Sequence, residues 1–184
     1  AHIYLSEENE LIKIGNFMAD GIRGKQYESY PSEIQKGIIL HRFIDSYTDS
    51  HPVFRKSTKR LHENYHHYSG VIVDVFYDQL IDKNWSNYSN ENLADFTNRF
   101  YQSLQDNYDF LSERAKGITP YMIERNWLMS YESVEGISRI LTQMDGRTKN
   151  ASKMRFSSNE LIEYYGDFEL EFTAFFEDMR TESH

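Results

Sequence analysis

Helical periodicity is the feature that most restricts how this chain can fold. Apolar residues recur at intervals of three and four, which places them on one side of an α-helix. Two clear series are Ile34, Ile38, Leu40, Phe43, Ile44 and Tyr47, and Leu93, Phe96, Phe100, Leu104 and Tyr108. Glycine (9) and proline (3) are scarce, and strand-like alternation is almost absent. We therefore predict an all-α protein, a single-domain bundle of about eight or nine helices over residues 1–184.

Proline, glycine and capping residues give first estimates of the helix boundaries. Pro31, Pro52 and Pro120 each stand where a helix could begin, because proline is tolerated at the first helical position. Residues 157–160 carry a Ser-x-x-Glu capping box, so we predict that the last helix begins there. Turn or cap positions are predicted at Gly15, Gly24, Gly70, Gly117 and Gly146.

Composition restricts the class of function. The chain has no cysteine, which excludes disulfides and thiolate metal sites and suits the cytoplasm. It shows neither a signal peptide nor an apolar run long enough to cross a bilayer. The net charge of −9 argues against nucleic-acid binding, which needs a positive face. We predict a cytoplasmic protein with an acidic surface that binds neither nucleic acid nor membrane.

The segment 41–51 carries the most informative polar residues. His41, Asp45 and Asp49 are spaced four apart, so on a helix they form a line along one side. That line is a candidate metal site, although a core histidine and two solvated acids would have the same spacing. His51 precedes Pro52 and is typical of a helix-entry residue.

Further acids and histidines extend this pattern. Asp74 and Asp78 are four apart in an otherwise hydrophobic segment, which predicts a buried helix. Buried carboxylates need compensation, either from a metal ion or from a cation such as Arg42 or Arg23. Asp20 ends another apolar segment and could instead cap the next turn. A second histidine group, His62, His66 and His67, has a possible metal spacing but is interpreted as surface histidines.

Around these residues the sequence resembles the acyl carrier protein phosphodiesterase family, a divergent branch of the HD-type phosphohydrolases. The matching segments are 1–5, 15–20, 37–45, 48–52 and 70–78, in one order up to about Trp85. The resemblance implies an HD-like helical fold and a divalent metal, Mn²⁺ or Mg²⁺. It also implies hydrolysis of the phosphodiester that joins 4'-phosphopantetheine to a serine of holo-acyl carrier protein, an acidic partner. The oligomeric state is left open.

We hypothesise roles for the individual residues. The hypothesised metal ligands are Asp20, His41, Asp45 and Asp78, with Asp74 and His2 as further ligands or supporting partners. Asp45 could instead accept a hydrogen bond from His41. Asp49 or Asp74 would orient the attacking water, and Arg42 or Arg23 would offset the charge of the phosphate.

One residue departs from the family pattern. After Asp78 the pattern has histidine, whereas this chain has Gln79. Glutamine can hold a water or a phosphate oxygen by hydrogen bonds, but it cannot transfer a proton near neutral pH. Two alternatives therefore stay open: an HD-like phosphohydrolase of a small nucleotide or phosphoester, and a catalytically weakened protein that binds carrier protein.

A basic segment follows the His41–Asp49 helix. It contains Arg55, Lys56, Lys59 and Arg60, in pairs one helical turn apart. An acidic carrier protein would need such a local patch in order to dock on a chain that is itself acidic. We predict docking there, with an ordinary solvated helix face as the alternative.

Overall fold

Helices account for all regular structure in the part of the chain that is described. The computed structural model describes residues 1–183, and over that range it contains nine α-helices and no strand. The α-helices are α1 Glu10–Met18, α2 Ser32–Ser50, α3 Pro52–Tyr65, α4 Ser69–Lys83, α5 Leu93–Asp106, α6 Glu113–Glu124, α7 Val134–Arg147, α8 Ser158–Glu163 and α9 Tyr165–Glu182. Short 3₁₀ turns lie at Tyr4–Ser6, Ala19–Gly21, Gln26–Ser29, His66–Tyr68, Trp85–Asn87, Tyr108–Phe110, Trp127–Glu132 and Met154–Phe156. The predicted all-α class is confirmed.

These helices form two compact units that alternate along the chain. The first contains Ala1–Tyr47 and Asn90–Met129, and the second contains Thr48–Ser89 and Ser130–Glu182. Each unit is therefore built from two stretches that are distant in sequence. A single domain over residues 1–184 stays a prediction, as does the HD-like detail of the fold.

The first unit has a continuous core between α1, α2, α5 and α6. Ile14, Ile34, Ile38 and Leu104 are completely buried within it. Helices α1 and α2 approach closely because Gly15 and Gly37 face each other's backbones. A Cβ built on Gly15 would lie 2.2 Å from the carbonyl oxygen of Ile34, and one on Gly37 would lie 2.1 Å from that of Ile12.

The second unit has an aromatic core. Helices α3, α4, α7 and α9 pack together there. Edge-to-face pairs join Phe76 with Phe168 and Tyr77 with Phe172, at ring-centroid distances of 5.2 and 5.4 Å. The interpretation of the many Tyr and Phe residues as core packing is therefore confirmed for these side chains.

Two of the three proline predictions are confirmed and one is wrong. Pro52 is the first residue of α3, and the carbonyl of Pro31 accepts the first helical hydrogen bond of α2. Pro120 lies inside α6, because that helix already begins at Glu113. Its N-terminus is capped by Ser112, whose Oγ accepts from the amide of Ala115.

The predicted capping box at residues 157–160 is also wrong. Ser157 donates its hydroxyl to the carbonyl of Met154 and makes no capping bond. The predicted last helix is in fact two helices, α8 and α9, separated at Tyr164.

Of the glycine predictions, Gly24 is a turn residue with a φ of +52°, as expected. Gly15, Gly70, Gly117 and Gly146 lie within helices instead.

None of the helices within residues 1–183 combines the length and the apolar character needed to cross a bilayer.

Candidate metal centre

Two imidazole rings lie side by side in the first unit. His2 comes just before the 3₁₀ turn Tyr4–Ser6, and His41 lies on the buried side of α2. Their rings are stacked, with centroids 4.3 Å apart and planes inclined by 25°. Two histidines from distant parts of the sequence thus point the same way.

Asn16 lies beneath both rings. It is completely buried on α1, a helix that begins where the side chain of Asn9 accepts from the amides of Leu11 and Ile12. The Oδ1 atom of Asn16 is 3.0 Å from Nδ1 of His2 and 3.0 Å from Nδ1 of His41. One amide oxygen therefore serves both imidazoles.

Two carboxylates face the other side of the rings. Asp45 follows His41 by one turn of α2, and its carboxylate oxygens lie 3.1 Å from Nε2 of His41 and 3.4 Å from Nε2 of His2. Asp20, in the 3₁₀ turn after α1, places Oδ1 3.1 Å from Nε2 of His41. The His41 side chain is 10% exposed, whereas those of Asp45 and Asp20 are 52% and 70% exposed. The imidazoles form the inner wall of the site and the carboxylates form its solvent-facing rim.

This arrangement shifts the pKa values of His41, Asp45 and Asp20. Burial alone would lower the pKa of His41, but hydrogen bonds to Asp20 and Asp45 outweigh it and raise the pKa from 6.5 to about 9. Burial would raise the pKa of Asp45, but bonding to His2 and His41 holds it well below its usual range. The hydrogen bond from His41 also lowers the pKa of Asp20. The two carboxylates thus favour a positive charge at Nε2 of His41.

The donor set suits a divalent cation. One ligand atom each from His2, His41 and Asp45 lies within 4.8 Å of the others, the one such group of three or more found among residues 1–183. Imidazole nitrogen and carboxylate oxygen are common ligands of first-row divalent metals. Asp20 can add a further carboxylate oxygen to this set, because its Oδ1 lies 3.1 Å from Nε2 of His41. The residues present therefore fit the kind of metal that the sequence predicts.

Comparison with known proteins fixes the family. The profile of the family described as "Acyl carrier protein phosphodiesterase" matches residues 1–179. The chain belongs to the acyl carrier protein phosphodiesterase family.

Individual relatives agree with this assignment. A protein named acyl carrier protein phosphodiesterase from Pectobacterium atrosepticum is 27% identical over 180 residues, 97% of this chain and 93% of that protein. The Photorhabdus laumondii protein of the same name is 24% identical over 177 residues, 96% of this chain and 89% of that protein. One from Escherichia coli O6:H1 is 27% identical over 180 residues, 97% of this chain and 93% of that protein. No solved structure matches. The prediction of an enzyme, a hydrolase of this family, is confirmed.

The remaining acids of the family pattern lie in the second unit. Asp74 and Asp78 are on α4, and Asp49 is an exposed residue in the last turn of α2. Asp74 is exposed and Asp78 is half-buried, so the prediction that both carboxylates are buried is wrong. Helix α4 buries most of its apolar side chains, although Val71 is exposed, and it turns Asp74 outward. Ligation by Asp78 and catalytic roles for Asp49 and Asp74 stay predictions.

The two arginines expected near the phosphate lie in the first unit. Arg42 donates from Nη2 to the carbonyl of Ile22 at 3.0 Å, and its guanidinium lies 5.1 Å from the ring centre of Tyr27. Arg42 follows His41 directly on α2, and these contacts hold its guanidinium against Ile22 and Tyr27. Arg23 is exposed in the loop before the 3₁₀ turn Gln26–Ser29.

Gln79, the departure from the family pattern, is a buried residue of α4 with 1% exposure. Its Nε2 donates to the carbonyl of Glu132 at 3.2 Å, and its Oε1 accepts from the hydroxyl of Tyr165 at 3.2 Å. Both ends of the amide are therefore engaged within the second unit. These bonds connect α4 with α9 and with the turn before α7.

The basic segment lies on α3 in the second unit. Arg60 makes two hydrogen bonds of 2.7 Å to the carboxylate of Glu171 on α9, and Lys56 lies 3.3 Å from the same carboxylate. Arg55 and Lys59 are exposed, and Nε of Arg55 donates to the carbonyl of Asp49. Part of the predicted docking patch therefore contributes to the packing of α3 on α9.

The other histidines have the positions that the sequence predicts. His51 is the N-cap of α3, where Nδ1 accepts from the amide of Val53. His62, His66 and His67 are exposed.

Asn16 is the site residue that sequence reasoning missed. It lies inside the matching segment 15–20, but asparagine has no fixed role in metal sites and was not singled out. A polar residue in the middle of the apolar run 14–19 was the available signal.

Proposed function

We propose that this chain hydrolyses the phosphodiester between 4'-phosphopantetheine and a serine of holo-acyl carrier protein. The products are apo-acyl carrier protein and free 4'-phosphopantetheine. Family membership over residues 1–179 supports the reaction type. The single observation that supports its chemistry is the convergence of His2, His41 and Asp45 within 4.8 Å.

A divalent cation is part of this proposal. His2 and His41 would hold it through Nε2, and Asp45 and Asp20 through carboxylate oxygens. Mixed imidazole and carboxylate ligands favour Mn²⁺ over Mg²⁺, which prefers oxygen alone. When bound, the cation supplies Lewis-acid polarisation of a phosphoryl oxygen and makes a water more acidic.

The chain's own residues would direct the substrate. The carboxylate rim is the exposed side of the cluster, so the phosphodiester approaches from there. Arg42 would offset the charge of the phosphate with its guanidinium, which Ile22 and Tyr27 hold in place. Asp49, one turn beyond Asp45 on α2, would orient the attacking water and accept its proton.

The test is release of 4'-phosphopantetheine from holo-acyl carrier protein by the metal-stripped chain, with and without added Mn²⁺. We expect release only with the cation. His41→Ala and Asp20→Ala should each lower kcat/KM by at least about 100-fold, because each removes a ligand. His62→Ala, at an exposed histidine outside the cluster, is the matched control and should retain activity.

Other outcomes would favour the alternatives. Full activity in both site variants would refute the assignment. Stable binding of carrier protein without turnover would favour a carrier-binding protein. Turnover of small phosphodiesters but not of carrier protein would favour a small-molecule phosphohydrolase.

A further inference from the structure

We propose that Asn16 is a positioning residue that holds both His2 and His41 in the Nδ1–H form and leaves both Nε2 lone pairs for one cation. The two tautomers are a property of the metal-free protein, whereas binding of a cation by the two lone pairs rests on the proposed function.

The orientation of the Asn16 amide is fixed by its partners. Its Nδ2 lies 3.0 Å from the backbone carbonyl oxygen of His2 and 2.9 Å from Oγ of Ser6. A carbonyl oxygen can only accept, so the atom facing it must be the NH₂ group. Ser6 in turn donates to the same carbonyl at 2.9 Å, which leaves its oxygen free to accept from Asn16. A flipped amide would place two acceptors against each other.

The fixed amide determines which imidazole nitrogen carries hydrogen. Oδ1 of Asn16 has two lone pairs and no hydrogen, and it lies 3.0 Å from both Nδ1 atoms. Each Nδ1 must therefore be the donor. A neutral imidazole has one N–H, so Nε2 of His2 and of His41 is left with a lone pair.

The same contact explains the geometry of the two rings. Sharing one acceptor brings the rings into the observed stack, with centroids 4.3 Å apart. Both Nε2 atoms then face the two oxygens of the single Asp45 carboxylate, at 3.1 and 3.4 Å. Asn16 thus aligns two donors that come from residues far apart in the chain. Hydrogen-bonding partners of this kind raise metal affinity by fixing the tautomer and orientation of a ligand histidine.

Nitrogen-15 NMR of the histidine rings tests the tautomers without metal. Spectra of the metal-free protein are recorded well above pH 9, so that His41, whose pKa is raised to about 9, is neutral. Wild type should show protonated Nδ1 and bare Nε2 in both rings. In Asn16→Ala the acceptor is lost, and the carboxylates of Asp20 and Asp45 should draw the proton of His41 to Nε2. Persistence of both Nδ1–H forms in Asn16→Ala would overturn the proposal.

Two further variants control for a structural effect. Ser6→Ala removes a partner from the NH₂ side of Asn16, at a residue that is 1% exposed, but leaves Oδ1 in place. It should keep both tautomers. Asn16→Leu, which is close to asparagine in size and also lacks the acceptor, should lose the Nδ1–H form of His41 and covers the case in which Asn16→Ala does not fold. Loss of the Nδ1–H form in Ser6→Ala, or its persistence in Asn16→Leu, would contradict the proposal equally.

Calorimetric titration with Mn²⁺ tests the consequence for the cation. Asn16→Ala should bind Mn²⁺ roughly 10–100-fold more weakly than wild type, whereas Ser6→Ala should bind it nearly as well. Equal affinity in Asn16→Ala and wild type would overturn the claim about the cation. Failure of wild type to bind Mn²⁺ would instead refute the proposed function, and the tautomer claim would then be decided by NMR.

Discussion

A proton on His41 and a cation at its Nε2 are alternatives, because both occupy the space between that nitrogen and the carboxylates of Asp20 and Asp45. The distances of 3.1 Å leave room for one positive charge at a time. Cation binding therefore competes with protonation at this residue.

The first prediction concerns this competition. The pKa of His41 is raised in the folded chain to about 9 from 6.5, so the proton stabilises the fold below pH 6.5. That contribution is lost as pH rises through about 9. Without metal, the free energy of unfolding should fall over this interval more steeply in wild type than in His41→Gln. Denaturant titrations with a chelator measure the difference, and parallel profiles would contradict it.

Mn²⁺ affinity should change in the opposite direction. It should rise with pH over the same interval, because the competing proton leaves. Calorimetry across a pH series gives the affinity at each point. A flat profile would show that His41 does not hold the cation.

The second prediction concerns Gln79. Gln79→Leu keeps most of the side-chain volume but removes the hydrogen bonds to the Glu132 carbonyl and the Tyr165 hydroxyl. It should therefore lower the free energy of unfolding by about 1–3 kcal/mol. Tyr165→Phe removes one of these bonds and should cost about 0.5–1.5 kcal/mol. Chemical denaturation measures both. If Gln79→Leu remains folded yet loses far more kcat than Tyr165→Phe, Gln79 belongs to the chemistry instead.

The site residues differ in how well sequence could predict them. His41 and Asp45 follow from one helical turn of spacing, and the structure places them on one side of α2 as expected. His2 was found only through the resemblance, because its partners are distant in sequence. Asn16 was missed, because its role depends on contacts with two histidines, one 14 and the other 25 residues away.

At the level of helices, the approach of α1 to α2 depends on two glycines, which gives the third prediction. Gly15→Ala forces a Cβ against the Ile34 carbonyl and should lower stability by about 1–3 kcal/mol. It should also weaken Mn²⁺ binding, since α1 carries Asn16. Gly117→Ala, inside α6 with open space around its Cβ, should raise stability by about 0.5–1 kcal/mol. Thermal melts compare the two, and equal effects would refute the close-approach argument.

Helix positions can be predicted where the apolar periodicity is continuous. They are predicted poorly where a boundary depends on a single proline or capping residue. The apolar series through α2 and α5 identified those helices. Pro120 was misplaced because a proline inside a helix and one at its start look alike without the capping residue, Ser112. The break between α8 and α9 lies at Tyr164, which is neither a proline nor a glycine, so the residue at the break gives no local signal in the sequence.

For the molecule as a whole, the net charge of −9 opposes an acidic partner, which gives the fourth prediction. Lys59 is an exposed cation of the α3 segment, whereas Arg60 is paired with Glu171. Lys59→Glu should raise KM for carrier protein by up to roughly tenfold at low salt and reduce its salt dependence. Lys149→Glu, an equal charge change after α7, should have little effect. Steady-state kinetics over a salt series measure the KM of each variant. Equal changes in Lys59→Glu and Lys149→Glu would refute a docking role for α3.

The division into two units was not predictable from the sequence. Each unit joins two distant stretches, and no linker or change of composition marks the boundary near Tyr47 or Asn90. Helical periodicity indicates which side of each helix is buried, but not which other helix covers it. The prediction that Asp78 joins His41 depends on such long-range pairing.

The alternation of the two units has a consequence for biosynthesis. All four proposed ligands of the first unit, from His2 to Asp45, leave the ribosome early. The core that supports them includes Phe100, Leu104 and Met122, which are translated much later. Since domains fold as units, the nascent chain would expose these histidines and acids before their scaffold exists. Assembly of the centre is thus expected late in translation, when the segment through Met129 has emerged.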